Sequence, residues 1–233
     1  MCGRFTESKS IEEVVQAFNV TSYQAKKILH PLPSRYNIAP RQEILTIRNK
    51  KGRRVLSNLI WGLVPSWSKD GRGCINAKAE TLIEKPGFRE SFRERRCLIP
   101  ADGFYEWANT ERGKQPFFFQ LKSCDLFAFA GLCMKWTSEN GLVETCIIIT
   151  TTANAVVAPI HDRMPVVLNP NSYDVWLSNE THLCVLQKLL TPYPAEQMKS
   201  HAVSKNVNSS TVDDESLIKP VMVEGVKAFA ATK

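Results

Sequence analysis

The sequence predicts an α+β fold, a single domain over residues 1–233 with a mostly antiparallel sheet core. Three observations predict it. Short runs of apolar and β-branched residues follow one another closely from Arg96 to Leu168. They do not alternate regularly with helices, which argues against doubly wound and TIM-barrel architectures. The chain of 233 residues, 43% hydrophobic and 23% charged, is long enough to bury one large core, and it has no repeat, low-complexity stretch or Gly/Ser linker to divide it.

The elements follow in order. Ser10 and Glu13 form a capping box, and Ile11, Val14, Val15 and Phe18 recur at helical spacing, so 10–19 is an amphipathic helix. Pro31, Pro33 and Pro40 make 30–42 irregular and partly extended. Glu43 to Arg48 and Arg54 to Trp61 read as strands joined by a basic turn at Lys50-Lys51-Gly52, followed by a loop from Gly62 to Gly73. Residues 77–84 and 87–95 read as short helices. Strands are expected at Arg96–Ile99, Phe104–Trp107, Pro116–Leu121, Leu126–Cys133, Glu144–Thr150 and Met164–Leu168, and late helices at 172–178, 181–190 and 194–199. The ordered core is expected to run roughly from 2 to 222, with a loose C-terminal end.

Net charge is +7 and is uneven along the chain. Residues 1–116 hold 21 of the 30 Lys/Arg and 12 of the 23 Asp/Glu, a balance of +9, and the remainder balances to −2. A basic front half fits a polyanion, nucleic acid first, or simply a solubilising surface. The seven cysteines are odd in number and contain no C-x-x-C pair, so neither a zinc ribbon nor a disulfide framework is expected. The four histidines are scattered, so no metal and no cofactor is expected. The apolar runs are too short to span a bilayer, and the N-terminus lacks the apolar core of a signal peptide. A cytoplasmic protein with reduced thiols is the expectation.

Cys2 is the most unusual local feature. Removal of Met1 leaves a 1,2-aminothiol whose α-amine has a reference pKa of about 7.7–8.0, partly neutral at pH 7. Such an amine attacks an aldehyde to give a Schiff base, and the thiol then closes a five-membered thiazolidine. The alternative is a small hydrophobe near the start of the chain. Asn76, Glu106 and His161 are candidate partners. Glu106 lies between Tyr105 and Trp107, where partial desolvation raises a carboxyl pKa and suits acid–base work, though strand alternation alone would also place it on a solvent face. His161 reads equally as a turn histidine. Arg4, Lys78 and Arg163 each sit two residues from one of these groups and are candidate phosphate contacts, and Trp67 is a candidate for base stacking or for core packing.

Six segments in order resemble the SRAP family (SOS-response-associated peptidases, or abasic-site-processing proteins): Met-Cys-Gly-Arg-Phe at 1–5, Arg-Tyr-Asn-Ile-Ala-Pro at 35–40, Trp-Gly-Leu-Val-Pro at 61–65, Ile-Asn-Ala-Lys-Ala-Glu at 75–80, Ala-Asp-Gly-Phe-Tyr-Glu-Trp at 101–107 and Ile-His-Asp-Arg-Met-Pro at 160–165. Val203-Ser204 and Val207-Asn208 fit the family's C-terminal strand. The resemblance, to the bacterial type, implies a barrel-like β core flanked by short helices, with a basic channel. It implies a monomeric sensor of abasic sites in single-stranded DNA, also at single-strand/double-strand junctions, that is cytoplasmic and nucleoid-associated. It implies a thiazolidine crosslink on Cys2, with Asn76 positioning the amine, Glu106 moving protons and His161 protonating or holding the opened sugar hydroxyl. Arg4, Lys78 and Arg163 match phosphate contacts, and Asn37, Pro40 and Trp67 match the segments that shape the cleft. Where the family usually has Arg, this chain has Lys78, which loses the bidentate fork. Ser68 follows Trp67 where some relatives carry a second tryptophan. Two other readings stand beside this one: a thiol peptidase using Cys2, His161 and Asn76 that removes its own Met1, and a non-covalent single-strand binder.

Overall fold

The computed structural model of the chain describes residues 2–23, 34–62, 73–138 and 141–223. Its strands are β1 Arg4–Glu7, β2 Ser22–Tyr23, β3 Arg35–Ile38, β4 Glu43–Lys50, β5 Arg53–Trp61, β6 Asn76–Lys78, β7 Arg96–Ala101, β8 Gly103–Thr110, β9 Gly113–Leu121, β10 Phe127–Ser138, β11 Gly141–Thr152, β12 Arg163–Pro165, β13 Val167–Leu168 and β14 Met198–Ala202. Its α-helices are α1 Ile11–Ala17, α2 Pro86–Glu94, α3 Tyr173–Leu177 and α4 Leu183–Lys188.

Strands β11, β10, β7, β4 and β5 pair in succession and close on themselves, because β5 also runs parallel to β11 through Ile60–Thr145 and Trp61–Cys146. The result is a five-strand barrel. A second, wholly antiparallel sheet in the order β14-β9-β8-β1-β3 packs against it. The α+β class and the barrel-like core are therefore as expected.

Period-2 alternation sorts the barrel side chains. Ile44, Leu59, Trp61, Cys97, Ile99, Phe129, Cys146 and Ile148 form one buried cluster, which continues into Phe5, Ile38, Phe104 and Phe119 of the second sheet. The intervening residues Leu45, Ile47, Leu56, Leu98, Ala130 and Ile147 face the helices, against Val14 of α1 and Phe18 at its C-cap, Phe92 of α2, Trp176 of α3 and Leu186 of α4. Phe5 joins the two sheets, with edge-on contacts to Trp61 at 5.2 Å and to Phe129 at 5.7 Å. Arg96 is buried beneath the helices, and desolvation lowers its pKa to about 10, so it stays charged at neutral pH. It is satisfied by carbonyls at helix C-termini, Phe92 and Trp176, each at 2.6 Å, where the helix dipoles favour a cation.

Several expectations change at the element level. Residues 77–84 begin as strand: β6 is drawn into parallel pairing with β11, and only a 3-10 turn at Ala79–Thr81 follows. The irregular 30–42 segment contains β3, which pairs with β1. The run 164–168 splits, because β12 pairs with β11 and β13 with β10. The helix expected at 194–199 is a 3-10 turn at Ala195–Gln197 that passes into β14. In place of the C-terminal strand expected around Val203-Ser204 and Val207-Asn208, residues 203–220 form 3-10 turns at Lys205–Asn208 and Glu215–Ile218 and a bridge from Val203 to Pro220. Most of the Gly62–Gly73 loop, including Trp67, lies outside the described residues.

Candidate functional site

Cys2 lies two residues before the start of β1, the strand between β8 and β3 in the second sheet. The far end of β1 is stapled to the start of β8: Asp102 accepts from the hydroxyls of Thr6 and Ser8 and, at 2.8 Å, from the Ser8 N–H. This fixes the height of β1 and hence of Cys2. The Cys2 side chain is fully buried, and its Sγ lies 3.8 Å from the Arg4 carbonyl oxygen.

Asn76 reaches the same point from the barrel. β6 is registered against β11 (Asn76 with Ile148), and Trp61 Nε1 donates to the Ile75 carbonyl at 3.0 Å. Asn76 Nδ2 donates to the Cys2 carbonyl at 2.8 Å. That bond fixes the amide orientation and leaves Oδ1 as a buried acceptor with no partner.

Glu106 projects from β8 and is 2% exposed. Strand alternation does put it on the side opposite Tyr105 and Trp107, but both sides are buried, since the second sheet packs against the barrel on one side and carries Val203, Val207 and Leu217 on the other. Burial pushes its carboxyl up to about 7, the positive amino terminus pulls it down, and the charge of Asp162 pushes it up. Burial and then the Glu106 charge push the Cys2 thiol far above its usual range, so Cys2 rests as a thiol. Among the described residues, no group of three or more His, Cys, Asp or Glu is arranged to hold a metal ion.

His161 joins through its neighbour, since Asp162 acts on Glu106 and the amino terminus acts on both Glu106 and His161. Its Nδ1 accepts from the Arg163 N–H at 2.9 Å and also lies 2.9 Å from Asp162 Oδ1. The two contacts exclude each other, because the first needs a lone pair on Nδ1 and the second a proton. Burial lowers the His161 pKa, so the neutral ring accepting from the backbone prevails.

The remaining candidates are placed differently. The Arg4 guanidinium donates to Asn37 Oδ1 at 2.6 Å and to the carbonyls of Val207 at 2.7 Å and Asn208 at 3.3 Å. Asn37 is 1% exposed, and its Nδ2 donates to the carbonyls of Val207, Ser209 and Val212. Both thus hold the 207–212 segment against the second sheet. Trp107 Nε1 adds a bond to Asn208 Oδ1 at 2.7 Å, and the Tyr36 N–H donates to Asp213. Pro40 is partly exposed and precedes Arg41, which adopts a left-handed φ of 73°. Lys78 is exposed at the end of β6. Arg163 is engaged bidentately by Glu80 at 2.6 and 2.9 Å. Glu80 and Asn208 therefore join the site's surroundings. Both lie inside the quoted motifs, but nothing in their spacing shows what they touch.

The architecture and these motifs have relatives. The family model for SOS response associated peptidase (SRAP) matches residues 1–210. The abasic site processing protein YoqW of Bacillus subtilis is 45% identical over 225 residues, covering 94% of this chain and 99% of that protein. The abasic site processing protein YedK of Escherichia coli is 29% identical over 224 residues, covering 95% and 100%. A crystal structure of a protein from Bacteroides thetaiotaomicron superimposes with a TM-score of 0.85 at 24% identity, over 95% of this chain and all of that one, a likeness of fold. A family match that starts at the first residue and takes in every segment of the cluster around Cys2, together with a shared architecture, leads to one conclusion: this chain belongs to the SRAP family.

Proposed function

We propose that this protein captures abasic sites in single-stranded DNA covalently through Cys2 after removal of Met1. The relatives' names point to abasic-site processing. The observation that carries the reading is the convergence on residue 2 of Asn76, bonded to its carbonyl, and Glu106, with a carboxyl pushed up to about 7. The neutral α-amine attacks the C1′ aldehyde of the ring-opened sugar, forming a C–N bond. Water departs with the former carbonyl oxygen, leaving an imine. The thiol then adds across C=N: sulfur bonds to carbon, its proton passes to nitrogen, and a thiazolidine results. A carboxyl titrating near neutrality serves both halves, taking the proton from amine or thiol and returning one to the departing hydroxyl. Asn76 Oδ1 is an acceptor suited to an N–H of the freed amine, and a neutral His161 is suited to hold the sugar hydroxyl. Lys78, exposed at the end of β6, is a cation suited to meeting a phosphate.

The peptidase reading is less well supported. A Cys–His–Asn nucleophile needs its asparagine on the histidine. Here Asn76 bonds the Cys2 carbonyl, and His161 Nδ1 takes a backbone N–H.

Mature protein is mixed with an abasic single-stranded oligonucleotide and run on a denaturing gel after heating. Wild type gives a heat-stable adduct and Cys2→Ala gives none. No adduct, an undiminished one from Cys2→Ala, or equal retention of intact and abasic strands would overturn the proposal, the last in favour of a simple single-strand binder.

A further inference from the structure

We infer that Glu80 is a positioning residue for His161: by clamping Arg163 it fixes His161 as the neutral tautomer with its proton on Nε2. The functional consequence rests on the capture reading above, whereas the clamp itself does not.

Arg163 is held from two sides. Its Nη1 and Nη2 donate to the two Glu80 oxygens at 2.6 and 2.9 Å, and Nη2 also donates to the Thr150 carbonyl of β11 at 2.7 Å. Its side chain is 11% exposed, against 48% for Glu80. Its Nε is buried without a partner. A buried guanidinium with one unmade bond is tolerated only where the rest of the fork is firmly bonded. The Glu80 carboxyl is held below its usual range, first by the hydrogen bond from Arg163, so it is ionised at neutral pH.

The clamp matters because of what the backbone of residue 163 does. Arg163 opens β12, opposite Thr152, and its N–H is the donor to His161 Nδ1. The competing partner, Asp162, has a side chain 87% exposed, where water weakens its hold. The charged groups acting on His161 are the amino terminus, Asp162 and Arg163; Asp162 favours the imidazolium and the other two oppose it. With residue 163 seated, the N–H occupies the Nδ1 lone pair and the ring proton resides on Nε2. With Glu80 gone, Arg163 keeps only its contact to Thr150, the start of β12 is held less firmly, and Asp162 competes for Nδ1. The segment 76–80 thus acts at both ends, since Asn76 bonds Cys2 and Glu80 sets His161 through Arg163.

The test is nitrogen-15 imidazole NMR of the full chain across pH, comparing wild type with Glu80→Ala and Glu80→Gln. The half-exposed position favours folding of both variants. In wild type, His161 shows Nε2–H with Nδ1 accepting. In Glu80→Ala, an Nδ1–H population appears as Asp162 displaces the backbone N–H from Nδ1, and the His161 titration shifts with it. Glu80→Gln, which keeps one acceptor oxygen without the charge, falls between. The pH profile of crosslinking moves with the His161 pKa in the same direction. An unchanged tautomer and pKa in Glu80→Ala overturns the inference; should that variant fail to fold, the same result in Glu80→Gln does so. If wild type forms no adduct, the capture reading falls while the spectra still decide the clamp.

Discussion

Glu106 and Glu7 are buried carboxyls on adjacent strands, and burial pushes them up to about 7 and about 8. Their situations differ. The Glu106 charge acts on Cys2, so its proton is exchanged in the proposed reaction. Glu106→Gln is expected to slow adduct formation by about 10²–10⁴-fold and to remove the limb of the rate profile centred near pH 7, measured by quenched time courses. Neither oxygen of Glu7 has a hydrogen-bond partner. Its carboxyl binds the proton more tightly in the folded chain than in the unfolded one. Its contribution is therefore greatest at low pH and is lost as pH rises from the ordinary carboxylate range through about 8. Glu7→Gln removes that loss. The variant should match wild type near pH 4 in chemical denaturation and exceed it at pH 9, at about 1.4 kcal/mol per tenfold difference in proton affinity.

At the scale of elements, the segment 203–220 shows how a polar tail becomes part of the core. Leu217, Val207 and Val203 pack under Tyr105 and Phe118. The carbonyls of 207–212 are gathered by Asn37 and Arg4. Asn37→Ala strips three carbonyls of a donor at a site 1% exposed. A loss of about 2–3 kcal/mol is expected, with faster hydrogen exchange confined first to 207–213 and β3. Any loss of DNA binding in that variant should then track the loosening of this segment, and mass-resolved exchange beside a binding assay would check it. Helix α1 lies at the other extreme: Ser10 accepts from the Glu13 N–H, Glu13 accepts from the Ser10 N–H, and the capping box stands where the sequence puts it.

At the scale of the molecule, the second sheet depends on a glycine as well as on aromatics. A Cβ on Gly103 would lie 2.1 Å from Phe118 Cζ and 3.0 Å from the Phe119 carbonyl oxygen. The carbonyl belongs to the β8–β9 ladder and has nowhere to move. Gly103→Ala should cost at least about 1–3 kcal/mol in one cooperative transition, visible in thermal unfolding, and should disturb Glu106 three residues along β8. The uneven charge also changes meaning here. Strands β7, β4 and β5 of the basic half form one contiguous block of the barrel and β10 and β11 of the acidic half the other, joined at both seams, so the two halves share one core.

The sequence by itself determined the α+β class, α1, the β4–β5 hairpin and the succession β7 to β11, because each rests on local periodicity, capping or turn chemistry. It also marked Cys2, Asn76, Glu106 and His161, because the motifs that contain them are ordered along the chain. Only the tertiary structure decided that β6 is strand, that β5 and β11 close the barrel, that Asn37 and Arg4 bind a segment some 170–200 residues away, and that Glu80 holds Arg163. Pairing energy and bidentate geometry arise between groups distant in sequence, and no local pattern encodes which partner a strand edge or a guanidinium will meet.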